Sequence, residues 1–397
     1  MGELVNARTA AERLGVDVRT LYAYVSRGSL RRVPGPDGRS SRYDCDDLEL
    51  LAKRSRPRTL PRPTASIDLV IGTGVSTVTD GVVRYRGVDV LDLVAARQPF
   101  ERVAELLWGG APGSWEAGGD CGDVEREAPP RADALPMLHR FVLAVAAMPE
   151  ARPGATTAGP DWPAHGRRLI GRLAGGPGGG EPGSRPGNGN GNGNGNGNGN
   201  GIATRLWERW SPLKPTAPRV RALNTALVLL AEHELALSTL SVRVAASARA
   251  TPSACVLAGL ATLSGALHGG AGRALHELLI SRAAGEQAGL PPRSVGFGHP
   301  VHRHGDPRTG PLLDDVYRFA PSADRELIES TARRATAAPN VDFALGALSY
   351  AARMPPEAAT AIFAIARTAG WIAHAAEEYG EPPLRFRGHA FDRDRTR

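Results

Sequence analysis

The run from Arg219 to Arg249 carries leucine, valine or alanine on nearly every side of a helix, among them Leu223, Leu227, Leu230, Leu235, Leu240 and Val244. A helix that is apolar all round has no face to offer to water, so the run predicts one long buried helix with others packed about it. Segments at Val90–Ala96, Phe100–Trp108, Leu135–Met148 and Gly166–Leu173 place apolar residues at three-and-four spacing and supply those neighbours. The fold class expected is mainly α. Beyond the first 65 residues, short strands are expected between Ser66 and Arg84, where Ile67–Ile71 and Gly74–Val83 alternate with period two. With 397 residues, 42% of them hydrophobic and 22% charged, the chain can bury a large core, and disorder is excluded as its general state.

The first residues have a different character. Residues 1–58 hold 12 Lys or Arg against 8 Asp or Glu, a balance of +4 out of the +7 of the whole chain. Such a bias points to an anionic partner. Residues 6–14 read as a short helix, Gly15-Val16-Asp17 as a capped turn, and Val18–Arg27 as a second helix stopped by Gly28. Leu30–Tyr43 then reads as a hairpin around Pro36-Asp37-Gly38, and Asp44–Lys53 as a third helix. The order of Gly15-Val16, Arg19-Thr20-Leu21-Tyr22, Tyr24, Gly28, Leu30, Arg42-Tyr43 and Asp47-Leu48 resembles the winged helix-turn-helix of MerR-type regulators. The resemblance implies that Arg19, Thr20 and Tyr22 face a major groove of DNA, with Tyr24, Arg39 and Arg42 near phosphates.

Residues 55–63 hold three prolines and form a semi-rigid linker. Residues 175–201 pass from a Gly/Pro-rich stretch into a strict Gly-Asn alternation with almost nothing apolar to bury, which predicts a flexible surface insertion. Cys45, Cys121 and Cys255 are far apart and lack metal-type spacing, so neither a disulfide framework nor a zinc module is expected. No basic leader followed by an apolar run opens the chain, and no apolar stretch reaches membrane-spanning length. A cytoplasmic location without membrane attachment is the expectation.

Several polar residues stand in apolar or glycine-rich surroundings. His233 lies among leucines, where its ring either finds internal partners or serves a ligand. His268 closes an apolar helix and is followed by Gly269-Gly270, which permits close backbone approach. The stretch Val295–Arg308 sets three histidines and two arginines among glycines and prolines, a composition suited to a rigid loop that brings polar groups to a ligand. His299, His302 and His304 have no carboxylate or cysteine at matching spacing, so no metal is expected. Asp342 follows Pro339-Asn340-Val341, and Arg367 interrupts an apolar helix. A buried unpaired guanidinium costs several kcal/mol, so Arg367 calls for an acidic partner or an anionic ligand.

Taken in order, His233-Glu234-Leu235 with Ser238-Thr239, Leu267-His268-Gly269-Gly270-Ala271, Gly296-Phe297-Gly298-His299 with Asp306-Pro307-Arg308, and Asn340-Val341-Asp342-Phe343 resemble the citrate synthase family. The likeness runs from about residue 66 to the C-terminus, with the insertion outside it. It implies a homodimer with a large domain, 66–268 and 353–397, and a small domain, 269–352, that closes over the substrates; residues 1–57 and the linker 58–65 precede them. It implies condensation of acetyl-CoA, a co-substrate, with oxaloacetate, as in the tricarboxylic acid cycle, with no permanently bound cofactor. Asp342 would be the general base, His268 the donor to the thioester oxygen, and His299 the group that polarises the ketone. His233, Arg308, Arg367 and, from the other subunit, Arg385 would hold the carboxylates, and Val295, Gly296, Phe297 and Gly298 would lie against the coenzyme.

Three departures accompany the likeness. Ala236 stands where relatives carry Asn, and Gly272 and Arg273 stand where they carry Asn-Glu. Two further readings accompany the enzyme: a DNA-binding transcription regulator that senses a metabolite through this body, and, on these departures alone, a noncatalytic partner of a paralogous enzyme. Use of propionyl-CoA to give 2-methylcitrate stands beside the acetyl-CoA reaction, since the two differ by one methylene of pocket.

Overall fold

The structure is a computed structural model that describes residues 4–14, 16–26, 30–35, 40–45, 47–48, 69–110, 113, 115, 135–149, 159–175, 201–286, 296–299, 301–302 and 305–388. The turn at 36–38, Arg39, most of the third N-terminal helix, the linker, the Gly-Asn repeat, Val295 and His304 lie outside the described residues. The chain divides into two compact units, Met1–Ile71 and Gly72–Arg397.

In the first unit, strand β1 (Leu4–Asn6) leads into helix α1 (Ala7–Leu14), and α2 (Val18–Ser26) follows. Asn6 and Asp17 begin the two helices by accepting from free main-chain N–H groups of the first turn, Thr9 at 2.9 Å in one and Arg19 and Thr20 at 2.7 and 2.9 Å in the other. Those two bonds hold the Asp17 carboxyl below its ordinary range. Strands β2 (Val33–Pro34) and β3 (Ser41–Asp44) pair antiparallel, as the hairpin reading expects, and β1 pairs with the other edge of β3. Three residues are too few for β1 to announce itself by alternation. Val5, Ala10, Ala11, Leu21, Leu30, Tyr43 and Leu48 form the core.

The second unit opens with a meander, β4 (Ser76–Thr79), β5 (Val82–Tyr85) and β6 (Val88–Asp89). Asp80-Gly81 and Arg86-Gly87 make its turns with all four residues at positive φ, the geometry that matches strand twist. The helices follow: α3 (Val90–Ala95), α4 (Phe100–Trp108), α5 (Met137–Ala146), α6 (Trp162–Leu173), α7 (Ile202–Trp210), α8 (Ala217–Leu230), α9 (Leu237–Ser247), α10 (Pro252–Leu263), α11 (Ala271–Ala283), α12 (Thr309–Tyr317), α13 (Ser322–Arg333), α14 (Val341–Ala351) and α15 (Glu357–Tyr379). Helix α15 is the centre. It is buried on almost all sides and packs against α4, α6, α8, α9 and α10. Its alanines let neighbours come close, and Gly259 on α10 is required opposite Trp371, whose ring stands 2.8 Å from where a Cβ would be.

The single long helix expected over 219–249 is corrected: α8 stops at Leu230 and α9 starts at Leu237. Between them the backbone leaves the helix, with Glu234 at φ 50°. The groups freed by the break are satisfied from elsewhere. Gly370 N donates to Ala231 O, Arg367 Nε donates to Leu230 O, and the Tyr85 hydroxyl donates to Glu232 O at 2.9 Å while accepting from Glu232 N. The helix expected to stop at His268 likewise ends at Leu263 and gives way to turns.

Candidate functional site

Five segments bring the polar residues of the second unit together: the 231–236 connector, the turns after α10, the loop before α12, the start of α14 and the middle of α15. The connector presents His233, which is buried, with its Nε2 atom 2.9 Å from His302 Nε2. The rings of His233, His299 and His302 lie 4.9 to 5.1 Å apart, a compact group of three imidazoles. Burial, then Arg308 and Arg367, push His233 far below its ordinary value, so it is neutral.

His299 has a defined tautomer. Its Nδ1 accepts from the main-chain N–H groups of Val301 and His302, at 3.2 and 3.4 Å, so the ring proton sits on Nε2 and is available to a ligand. Burial first and the charge of Arg308 next lower its pKa to about 4. Arg308 forms a two-pronged ion pair with Asp306, at 2.9 and 2.8 Å, and both are buried. Asp306 also accepts from Val341 N, which ties the loop to the start of α14. Burial raises the Asp306 carboxyl, but the charge and hydrogen bonds of Arg308 outweigh it and hold Asp306 below the usual carboxylate range.

Gly296 and Gly298 have positive φ and run beside residues 338–340, with Asn340 N donating to Gly296 O and Gly298 N to Ala338 O. The Phe297 ring is buried edge-on against Phe343. Of the described residues expected to meet the coenzyme, only Gly298 lines a cavity of about 230 Å³, together with His299, His302, Gly305, Asp306 and Asn340.

Asn340 caps α14, accepting from the N–H groups of Asp342 and Phe343. This sets Asp342 in the first turn. Burial raises its carboxyl to about 6 against the opposing pull of Arg308. Among the described residues no ion pair or side-chain hydrogen bond holds that carboxylate. His268 comes from the turns after α10, where Gly269 is needed because a Cβ would stand 2.3 Å from Leu263 O. His268 Nε2 lies 2.8 Å from the Ser238 hydroxyl, and its pKa is lowered by burial and then by Arg367. Arg367 stands over the Phe363 ring at 4.7 Å, and His268 meets the edge of the same ring. The charge of Arg367 is felt at His233, His268 and Asp342, which places it among all three.

Arg385 is not brought into this group. It is bound by both prongs to Glu378, at 2.6 Å each. The departures have local explanations in part. Gly272 sits where α11 and α14 touch, its carbonyl 2.6 Å from the Cβ position of Gly346, and Arg273 pairs with Glu277 on the surface. Ala236 precedes α9 without a side-chain cap.

Two features escape a reading of the sequence. One is the bond of His302 to His233, across 69 positions. The other is a buried ionic chain that ends beside His233. Arg243 donates to Glu378 at 2.8 Å and to Glu377 at 2.6 Å, and its Nη1 lies 3.0 Å from His374 Nδ1. A guanidinium only donates, so His374 carries its proton on Nε2, which stands 3.3 Å from Glu232 Oε1 though not aligned as a hydrogen bond. Glu232, Arg243, His374 and Glu378 are all fully buried. Acid and base at helical positions on α15 read from sequence as an ordinary helix end.

The comparisons agree with this architecture. The family model for the citrate synthase C-terminal domain matches residues 187–387, just over half of the chain. Among solved structures the chain is similar to the citrate synthase of Thermoplasma acidophilum in ternary complex with carboxymethyl coenzyme A and oxaloacetate, at 22% identity over 81% of this chain and 93% of that one, with a TM-score of 0.60. It is similar to citrate synthases from Pyrobaculum aerophilum, at 22% identity, 81% and 89% coverage and a TM-score of 0.60, and from Thermotoga maritima, at 20%, 81% and 93%, and 0.59. At such identities these structures speak for the fold, and the family match speaks for descent. With the mainly helical fold and the family match in agreement, the chain belongs to the citrate synthase family.

Proposed function

We propose that the chain condenses the methyl carbon of acetyl-CoA with the ketone of oxaloacetate and hydrolyses the thioester to release citrate and CoA. The observation that carries this reading is Asp342, an unpaired carboxylate at the start of a helix with its pKa raised to about 6 beside Arg308 and Arg367. A base of that strength is ionised at neutral pH yet basic enough to take a methyl proton. If Ser238 donates to His268 Nε2, the other ring nitrogen keeps its proton and can donate to the enolate oxygen. The Nε2 proton of His299 polarises the ketone. Arg367, His233 and Arg308 hold the carboxylates. The coenzyme lies along Gly296–Gly298 and Val295, and residues 269–352 close over it as a small domain.

A homodimer belongs to this reading. Leu237 and Val244, one helical face of α9, are 65% and 46% exposed, and Leu267 is 99% exposed, an apolar surface suited to a second copy. Arg385 reaches a neighbouring site only by leaving Glu378. Purified protein given acetyl-CoA and oxaloacetate is expected to release free thiol, followed with a chromogenic thiol reagent; propionyl-CoA in parallel separates the citrate from the 2-methylcitrate reaction. No thiol above background with either thioester sinks the proposal.

A second reading concerns the first unit. Helix α2 exposes Arg19 and Tyr22, the latter by 50%, with Thr20 and Tyr24 partly exposed and Arg42 on β3. We infer a winged helix-turn-helix that binds DNA, and the two activities are compatible in one chain. Retardation of DNA from upstream of its own gene should weaken with salt and with Arg19→Ala; no retardation at low salt overturns it.

A further inference from the structure

His302 belongs to no part of the mechanism above, yet it sits inside the site. It is 4% exposed and lines the cavity with His299, Asp306 and Asn340. Its Nε2 is bonded to His233 Nε2, its own main-chain N–H donates to His299 Nδ1, and its Nδ1 is buried with no partner among the described residues. Two neutral imidazoles joined through Nε2 share one proton on that axis. The leftover Nδ1 is then a buried lone pair or a buried N–H that nothing among the described residues satisfies.

Burial first, and then the charges facing the pair, explain why it stays neutral without a ligand. Arg367 on α15 and Arg308 before α12 are positive, and Asp306 is committed to Arg308 by two hydrogen bonds. His299 is a third neutral ring. Asp342 on α14 titrates near 6, and Glu232, next to His233 in the chain, faces His374. A dianion entering this group reverses the balance, since two negative charges against the arginines remove the repulsion that opposes a proton on the imidazoles.

We propose that His302 is a second imidazole of the 2-oxo-acid site, and that it and His233 together take up one proton when a dicarboxylate binds. The inference rests on the reading that the site holds oxaloacetate. His302 is thereby a specificity-determining residue: the protonated pair favours a ligand with two carboxylates over one with a single carboxylate. It also makes dicarboxylate binding proton-linked, with affinity rising about tenfold for each pH unit lowered while the full proton is taken up.

The test is titration calorimetry of the full chain with oxaloacetate at pH 7.5 in buffers of different ionisation enthalpy. The slope of the observed heat against that enthalpy counts protons. About one proton per site is expected for the wild type, and less with pyruvate. Asp342→Asn removes the carboxyl of the site that could take up a proton and should retain the slope. His302→Gln, whose amide can still bond His233, should lose most of it and bring the two ligands closer in affinity. Wild-type heats that do not depend on the buffer overturn the proposal whether or not the variant folds, and an undiminished slope in His302→Gln overturns it too. No heat with oxaloacetate in any buffer sinks the substrate reading first and this inference with it.

Discussion

Asp342→Asn is expected to lower the rate of thiol release by on the order of 10²–10⁴-fold, the range typical for loss of a positioned general base. Asparagine has the same shape, and the contacts that place the residue come from the backbone: Asn340 caps the helix and Asp306 receives Val341 N. The helix start should survive and the base alone be lost. The pH dependence carries a sign. Burial raises the Asp342 carboxyl to about 6, and the base works only when ionised, so wild-type turnover should hold above that value and fall about tenfold per unit below it. Burial, and after it the nearby arginines, push both His268 and His299 below their ordinary value, His299 to about 4, so neither ring adds a positive charge at neutral pH. Steady-state thiol release between pH 5 and 8, with melting curves of both proteins, checks the claim. A variant within threefold of the wild type would remove Asp342 from the mechanism.

Arg243→Met is expected to destabilise the second unit by about 3–5 kcal/mol, the range for removing one member of a buried ionic group. The arginine is fully buried and answers Glu378, which is fully buried, and Glu377, while its Nη1 fixes the tautomer of His374. Methionine fills similar volume, so the loss should come from charge and not from a cavity. Burial by itself raises the carboxyls of Glu377 and Glu378; Arg243, with Gly74 N and Thr73, holds Glu377 below the ordinary range, and Arg385 with Arg243 holds Glu378 below it. Without Arg243, Glu378 keeps only Arg385, and Glu232 loses the histidine set to face it. The midpoint of denaturant unfolding at pH 7 measures the effect; a change under about 1 kcal/mol would show that the chain of charges is dispensable. Since Glu232 adjoins His233, the surviving fraction should also bind oxaloacetate more weakly.

Much of this protein can be read along the chain. Apolar spacing announces α4, α5 and α6, whereas the alternation over Gly74–Val83 runs through Asp80-Gly81, where the structure turns the meander. The residues that converge on the site stand out as polar interruptions: His268 before two glycines, Asp342 just after Pro339-Asn340-Val341, Arg367 within an apolar helix. The break at 231–236 does not show. Leucines continue through it at helical spacing, and local propensity favours one helix.

What ends α8 at Leu230 is a hydroxyl from Tyr85, nearly 150 positions earlier, and main-chain and guanidinium donors from α15, over 130 positions later. Hydrogen bonds of that range leave no periodic trace, and they outweigh a helical preference worth only tenths of a kcal/mol per residue. The same holds for His302 against His233, and for Arg243 against Glu377 and Glu378. By itself the sequence determined the helices, their burial and the kinds of group at the site, because spacing and polarity act over a few residues. Only the tertiary structure decided which imidazole meets which, where the long apolar run breaks, and that Arg385 is held by Glu378, because those outcomes depend on distances between segments far apart in the chain.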